Sequence, residues 1–286
     1  MKPAVKTLVE ALSLEPIEVN LFRGHTPPDE INQNRIYGGQ VIAQALMAAY
    51  RTVEGRMCHS LQAYFIRPGD PKAPVLYEVE RSRDGKSFAT RRVIAIQHGE
   101  QILNLAASFQ IEEAGFEHAT AAPDAPAPET VPTDLERVEM AGDKLPPIMK
   151  EVLARDRAIE MRRVDPVVFP LKPRKLDPDQ KVWFRAADSV GDDLAINQCV
   201  VAYATDMSLL STCARPHSVS WLTGVQMASL DHIIWFHRRS RADEWHLYDQ
   251  DSPSASGARG FNRGAIYTQD GRLVASVAQE GLIRPR

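Results

Sequence analysis

The sequence predicts an α+β fold built from two halves of similar architecture, and three observations predict it. The first is an internal repeat. The stretch "SLQAYFIRPGDPKAPVLYEVERSRDGKSFATRRVIAIQHGEQILNLAASFQ" is answered by "DHIIWFHRRSRADEWHLYDQDSPSASGARGFNRGAIYTQDGRLVASVAQEG". Phe65 then falls on Phe236, Tyr77 on Tyr248 and Arg92 on Arg263, each 171 positions further on. The second is that each stretch follows a helical segment apolar nearly all round, "GGQVIAQALMAAYRTV" and "NQCVVAYATDMSLLSTC". Such a helix must be buried, and an antiparallel sheet wrapped around it is the simplest cover. The third is the interval between the halves, residues 119–180, which holds 10 of the chain's 20 prolines.

The elements follow in order. "MKPAVKTLVEALSLE" places apolar residues at roughly helical spacing. In the first half, 1–118, the apolar helix leads into strand, longer connection, strand, the Gly-containing turn "QHGEQ" and a last strand. The interval 119–180 opens "ATAAPDAPAPETVPTD" and reads as a linker, whose middle, "PPIMKEVLARDRAIEMRRV", forms a helix after Pro147. The second half, 181–286, repeats the helix and strands around the turn "TQDGR".

Composition excludes several classes of function. The 286 residues carry a net charge of −3 and a pI near 6.3, so no global basic field holds nucleic acid or an anionic membrane. No run approaches the eighteen or more apolar residues of a membrane span, and the N-terminal stretch lacks the apolar core and cleavage site of a signal peptide. Three cysteines, Cys58, Cys199 and Cys213, are odd in number and far apart, which fits a reducing cytoplasm rather than a disulfide framework or a thiolate zinc site. The C-terminal "LIRPR" carries no peroxisomal address. No metal-ligand spacing and no phosphate-cradling glycine motif occurs, so neither a metal nor a redox cofactor is expected.

A repeat lets one half serve as the control for the other. Asp206 has Cys199, Ala202, Tyr203, Leu209 and Leu210 at helical neighbour spacings; it either sits in an apolar setting that demands a partner, or it caps a local break or reaches solvent. Gln279 closes an apolar row, Leu273, Ala275 and Val277, on one face of the last strand. Either it is a buried amide needing partners, or the strand frays there. "QMASLDHIIWF" holds Ser229, Asp231 and His232 within four positions, but strand alternation sends Asp231 and His232 to opposite faces, so they make no triad. His232, among Leu230, Ile234 and Phe236, is expected to be a core histidine with a backbone partner. Asp231 has no assignable role. Opposite Asp206, Ser229 and Gln279 the first half offers Met47, Cys58 and Ser108, so any site they form occurs once.

The chain resembles the bacterial acyl-CoA thioesterase II family almost end to end. The resemblance is carried by "YGGQVIAQAL", "HSLQAYFIRPGD", "RDGKSFATRRV", "ASFQ" with "EAGFEH", "YATDMSLL", "LDHIIWFHR" and "SASGARGFNRGAIYTQDGRLVASVAQEG". It implies a double hotdog: two long helices, each wrapped by its own antiparallel sheet, with the sheets side by side. It also implies that Asp206, Ser229 and Gln279 bind and polarise an attacking water, with serine at 229 where the family has threonine. The expected reaction is hydrolysis of fatty acyl-CoA to free acid and coenzyme A, with Asp206 as base or acceptor and its pKa raised by burial.

Backbone N–H groups at Gly38 and Gly39 are candidate oxyanion donors, or these glycines serve close packing. Arg81, Arg83, Lys86, Arg91, Arg92, Arg259 and Arg263 either contact the coenzyme phosphates or line solvated strand edges. The alternatives are a hotdog enoyl-CoA hydratase, which would want a histidine opposite an acid, and a non-catalytic acyl-CoA binding module. Sheet edges and faces left uncovered lead us to expect a homo-oligomer, dimer or tetramer.

Overall fold

A computed structural model of the chain describes residues 1–28, 34–142, 150, 155–165, 174–219 and 224–285. Four α-helices have bounds among the described residues, α1 (Pro3–Leu12), α2 (Gly38–Tyr50), α3 (Asp134–Ala141) and α4 (Leu194–Thr205), besides 3-10 turns at Pro128–Thr130 and Leu209–His217. The first half contributes strands β1 (Glu15–Glu18), β2 (Leu21–Gly24), β3 (Met57–Phe65), β4 (Val75–Asp84), β5 (Phe88–Gln97) and β6 (Glu100–Gln110). The rest contributes β7 (Ile159–Arg163), β8 (Asp179–Ala186), β9 (Val225–Ser229), β10 (Asp231–Phe236), β11 (His246–Ser256), β12 (Arg259–Thr268) and β13 (Leu273–Pro285).

All ladders are antiparallel, in the order β1-β2-β4-β5-β6-β3-β10-β13-β12-β11-β8-β7, with β9 alongside β13. Read from either edge to the centre, the two runs are the same, β3 and β10 pairing in the middle. The repeat predicted this. Tyr77 and Tyr248 are both buried, and two ion pairs recur at matching positions, Arg92 with Glu80 at 3.6 Å and Arg263 with Asp251.

The offset of 171 holds through β12 but not through β13. Ala95 pairs with Leu103 across the first hairpin, whereas Ile266 pairs with Ala275 across the second, whose connection is one residue longer. Arg91 therefore faces Ala107, and its counterpart Asn262 faces Gln279. The structural equivalent of Gln279 is Ala107, not Ser108.

Buried Val5, Leu8 and Leu12 make α1 amphipathic behind a proline at its first turn. α2 is buried on all sides from Gly39 to Ala49 and packs on β2 to β6 and against α4. α4 starts where the Asp193 carboxylate caps the Ile196 N–H at 2.9 Å.

The helix expected after Pro147 falls largely on residues outside those described, but its last part is a strand instead. β7 buries Ile159 and Met161 and turns Glu160 and Arg162 outward, and the ladder with β8 decides in favour of this alternation. The start of the proline-rich interval is docked rather than loose. The Trp183 indole donates to the Pro126 carbonyl at 2.9 Å, and Val131 packs with Trp183, Trp245, Leu247 and Tyr267. Among the described residues no helix is long and apolar enough to cross a membrane.

Candidate active site

Asp206, Ser229 and Gln279 come from three separate elements and meet. Asp206 is the residue that ends α4, with φ −81° and ψ −8°, and its side chain is only 6% exposed. Both sequence alternatives thus hold in part: the helix does break there, and the carboxylate is buried. Gln279, on the inner face of β13, donates through Nε2 to Asp206 Oδ1 at 2.6 Å and to Ser229 Oγ at 3.0 Å. Ser229 Oγ donates to the same Oδ1 at 3.3 Å. Both N–H groups of the amide are therefore engaged, while its Oε1 is buried with no partner among the described residues. In the first half Met47, Cys58 and Ala107 occupy these places, all buried and none ionised.

A break in the central sheet positions Ser229. β9 stops at Ser229, paired with Gly281, and β10 starts at Asp231. At the break Leu230 donates to the Glu280 carbonyl at 2.9 Å, and Glu280 N–H donates to Asp231 Oδ1 at 2.6 Å. Asp231 thereby acquires a function that sequence did not reveal: it clamps β13 beside Gln279. Only the register across the break shows this.

A carboxylate at the C-terminal end of a helix meets the negative end of the backbone dipoles. Here that end faces the N-terminus of α2, and the Gly39 N–H is directed at the Asp206 carboxylate. The Tyr37 hydroxyl donates to the Tyr203 carbonyl at 2.8 Å and the two rings meet edge to face at 4.9 Å, which latches the start of α2 to the end of α4. A Cβ at Gly39 would lie 2.5 Å from the Tyr203 oxygen, and one at Gly38 would lie 2.8 Å from Asp206 Oδ2. Close packing is therefore a sufficient reason for both glycines. Burial pushes the Asp206 carboxyl from 3.8 up to about 6, against the pull of the Gln279, Ser229 and Gly39 hydrogen bonds and the Arg35 charge.

His232 is fully buried, as expected, but its partner is a side chain: Nε2 lies 2.9 Å from Thr205 Oγ1. Arg91, among the candidate phosphate contacts, is 1% exposed and spends its guanidinium on Thr52, on the carbonyls of Arg83 and Thr90 and on Asp84. It is a core residue. Arg81, Arg92, Arg259 and Arg263 hold Asn20, Glu80, Glu280 and Asp251. A cavity of about 540 Å³ opens at the opposite ends of α2 and α4, lined by Met47, Tyr50, Met57 and Ile196 among others. It lies at the place that the repeat relates to the polar trio. Among the described residues no group of histidine, cysteine and acidic side chains could hold a metal.

The family described as "Acyl-CoA thioesterase" matches residues 153–282, and that described as "Acyl-CoA thioesterase N-terminal domain" matches residues 27–110. The chain is 38% identical to acyl-CoA thioesterase 2 of Haemophilus influenzae, with 99% of each chain covered. It belongs to the acyl-CoA thioesterase family. Within that family it is also 40% identical to acyl-coenzyme A thioesterase 8 of Homo sapiens, over 96% of this chain and 87% of that one. The crystal structure of acyl-CoA thioesterase II TesB2 from Mycobacterium marinum superposes with a TM-score of 0.78 at 40% identity, covering 99% of both chains. A protein from Alicyclobacillus acidocaldarius with a hot dog fold, 19% identical, superposes with a TM-score of 0.77 over 98% of both chains. The fold is therefore of the hotdog kind, α+β with one large antiparallel sheet and few helices.

Proposed function

We propose that this chain is an acyl-CoA thioesterase of double-hotdog build, in which Asp206, Ser229 and Gln279 hold and activate the water that hydrolyses the thioester to fatty acid and coenzyme A. Hydrolysis of the acyl-CoA thioester bond is the reaction that the family's name states. The observation carrying the assignment to these three residues is the hydrogen-bond count of Gln279: Nε2 bridges Asp206 and Ser229 while Oε1 is left as a buried acceptor. A water donating one proton to Oε1 and the other to the Asp206 carboxylate satisfies that orphan and directs an oxygen lone pair outward.

Titrating at about 6, Asp206 is ionised at neutral pH yet basic enough to accept the proton as the oxygen attacks the carbonyl carbon. When the C–S bond breaks, that proton passes to the departing thiolate, and Asp206 is a carboxylate again. Holding the water in place removes an entropic part of the barrier worth several kcal/mol. The first half, 1–118, forms one hotdog, and the second, 181–286, forms the other together with β7 and the start of β8, which the joining interval 119–180 supplies. The aromatic side chains of Tyr64 and Trp235, exposed on the two central strands, support assembly into a homo-oligomer, dimer or tetramer. Three free, buried cysteines fit the reducing cytoplasm.

The test is thiol release from a panel of acyl-CoAs by the purified protein and by Asp206→Ala and Gln279→Ala. Release is expected from the parent and lost in both variants. Binding without release would leave a non-catalytic module, and hydration of an enoyl-CoA without thiol would leave a hydratase. Release that survives both substitutions would overturn the site.

A further inference from the structure

His232 lies beside this site, and the acyl transfer just described makes no use of it. Its ring is fully buried on β10. The protonation of its two nitrogens follows from its neighbours. Thr205 Oγ1 has one proton, and it donates that proton to the Ala202 carbonyl at 2.9 Å, an oxygen that can only accept. Toward His232 Nε2, 2.9 Å away, the same hydroxyl must therefore act as acceptor, so Nε2 carries the ring proton. Burial holds the imidazole neutral, pushing its pKa down to about 3. The lone pair is then on Nδ1. That atom is buried, has no hydrogen-bond partner among the described residues, and lies 4.0 Å from Asp206 Oδ1.

We propose that His232 is a positioning residue of the hydrolytic centre: its unpartnered Nδ1 is the acceptor that holds the proton which Asp206 takes from water. This rests on the reading of Asp206 as the base. With Asp206 ionised, two acceptors face one another, an arrangement that disfavours the carboxylate and favours its proton uptake. Once water has given its proton to Oδ1 and its oxygen to the thioester carbon, the new O–H turns to Nδ1, and a short closure of the 4.0 Å gap makes a hydrogen bond. The C–S bond then breaks, the thiolate sulfur takes that proton from Asp206, and Nδ1 returns to its lone-pair state. The imidazole gains no net proton. Threonine at 205 fixes the tautomer and the ring plane, as a carbonyl or carboxylate does behind other histidines.

Other ionisable and charged groups around the pair are few. Tyr37, before α2, and Tyr248, on β11, are held neutral chiefly by burial, and the Asp206 charge pushes both further the same way. Arg35 acts on Asp206 by its charge alone. Asp231 is on the other face of β10, engaged with Glu280 N–H.

Two substitutions separate the nitrogens. His232→Gln keeps a polar group at the Nε2 position for Thr205 and removes the acceptor at Nδ1; His232→Asn supplies a carbonyl oxygen near Nδ1. His232→Gln is expected to lower kcat roughly tenfold at unchanged KM, since it removes part of an acid–base contribution. It should also move the acid limb of the kcat profile to lower pH. His232→Asn is expected to recover most of both. A parent-like kcat and pH profile in His232→Gln, in a background where Asp206→Asn is inactive, would overturn this inference while leaving the hydrolytic site standing; activity in Asp206→Asn would overturn the site itself. Should His232→Gln fail to fold, imidazole nitrogen resonances of the parent protein decide: Nε2 protonated and Nδ1 bare from pH 5 to 8 supports the assignment, and a proton on Nδ1 refutes it.

Discussion

Replacing Asp206 by Asn is expected to make the protein more stable and inactive at once, and the gain in stability should depend on pH. An ordinary aspartate titrates at 3.8 and this one at about 6, so ionising it inside the fold costs about 3 kcal/mol more than in the unfolded chain. Below pH 3.8 both states are protonated and the penalty vanishes. It grows between 3.8 and about 6 and is complete above that. Asparagine with its oxygen at the Oδ1 position keeps the acceptor for Gln279 and Ser229 and carries no charge. The variant should therefore gain up to about 3 kcal/mol at pH 8, seen as a rise in Tm of roughly 6 °C for a chain of this size, and almost nothing at pH 4. Thermal unfolding followed by circular dichroism at both pH values is the assay, with thiol release at pH 8 alongside. An equal change at pH 4 and pH 8, or a loss of stability at pH 8, would refute the claim that the carboxylate is held in an unfavourable setting.

Gly39→Ala forces a Cβ to within 2.5 Å of the Tyr203 carbonyl, so α2 must back away from α4. A loss of about 1–3 kcal/mol in stability is expected, together with a rise of the acid limb of kcat/KM as Asp206 loses the N–H; an unmoved limb would show that this donor is irrelevant. Ser229→Ala and Gln279→Ala each remove part of one hydrogen-bonded unit, so the double variant should lose far less activity than the product of the single losses, and multiplicative losses in the thiol assay would argue that the residues act apart. Arg91→Lys leaves several of the five acceptors around the guanidinium unsatisfied and should destabilise by roughly 2–4 kcal/mol with kcat of the folded fraction unchanged. A normal melting temperature would contradict that assignment.

The repeat made the two-half architecture legible, because an offset kept over Phe65, Tyr77 and Arg92 demands the same strands in the same order. It also made the polar trio legible, since Asp206, Ser229 and Gln279 stand where the first half is apolar. The partner of Gln279 in that comparison was misplaced by one residue. The turns "QHGEQ" and "TQDGR" are equally long on paper, but two residues, His98 and Gly99, join Gln97 to Glu100 whereas three, Gln269, Asp270 and Gly271, join Thr268 to Arg272, and the ladders reveal this because the register shift beside the turn is the same in both hairpins. "AIEMRRV" carries both a helical and an alternating pattern, and pairing with β8, a long-range contact, decides between them. The side-chain partner of His232 and the clamp by Asp231 depend on how β10 sits against α4 and β13. Spacing along the chain carries no trace of either.

The latch between Tyr37 and Tyr203 joins the two copies of the repeat. Asp206, Ser229 and Gln279, the residues of the proposed site, all lie in the second copy of the repeat, yet the amide that steadies the carboxylate belongs to the first. The carboxylate of the second copy thus leans on a backbone group of the first, and neither half can be exchanged or cut away without disturbing the other.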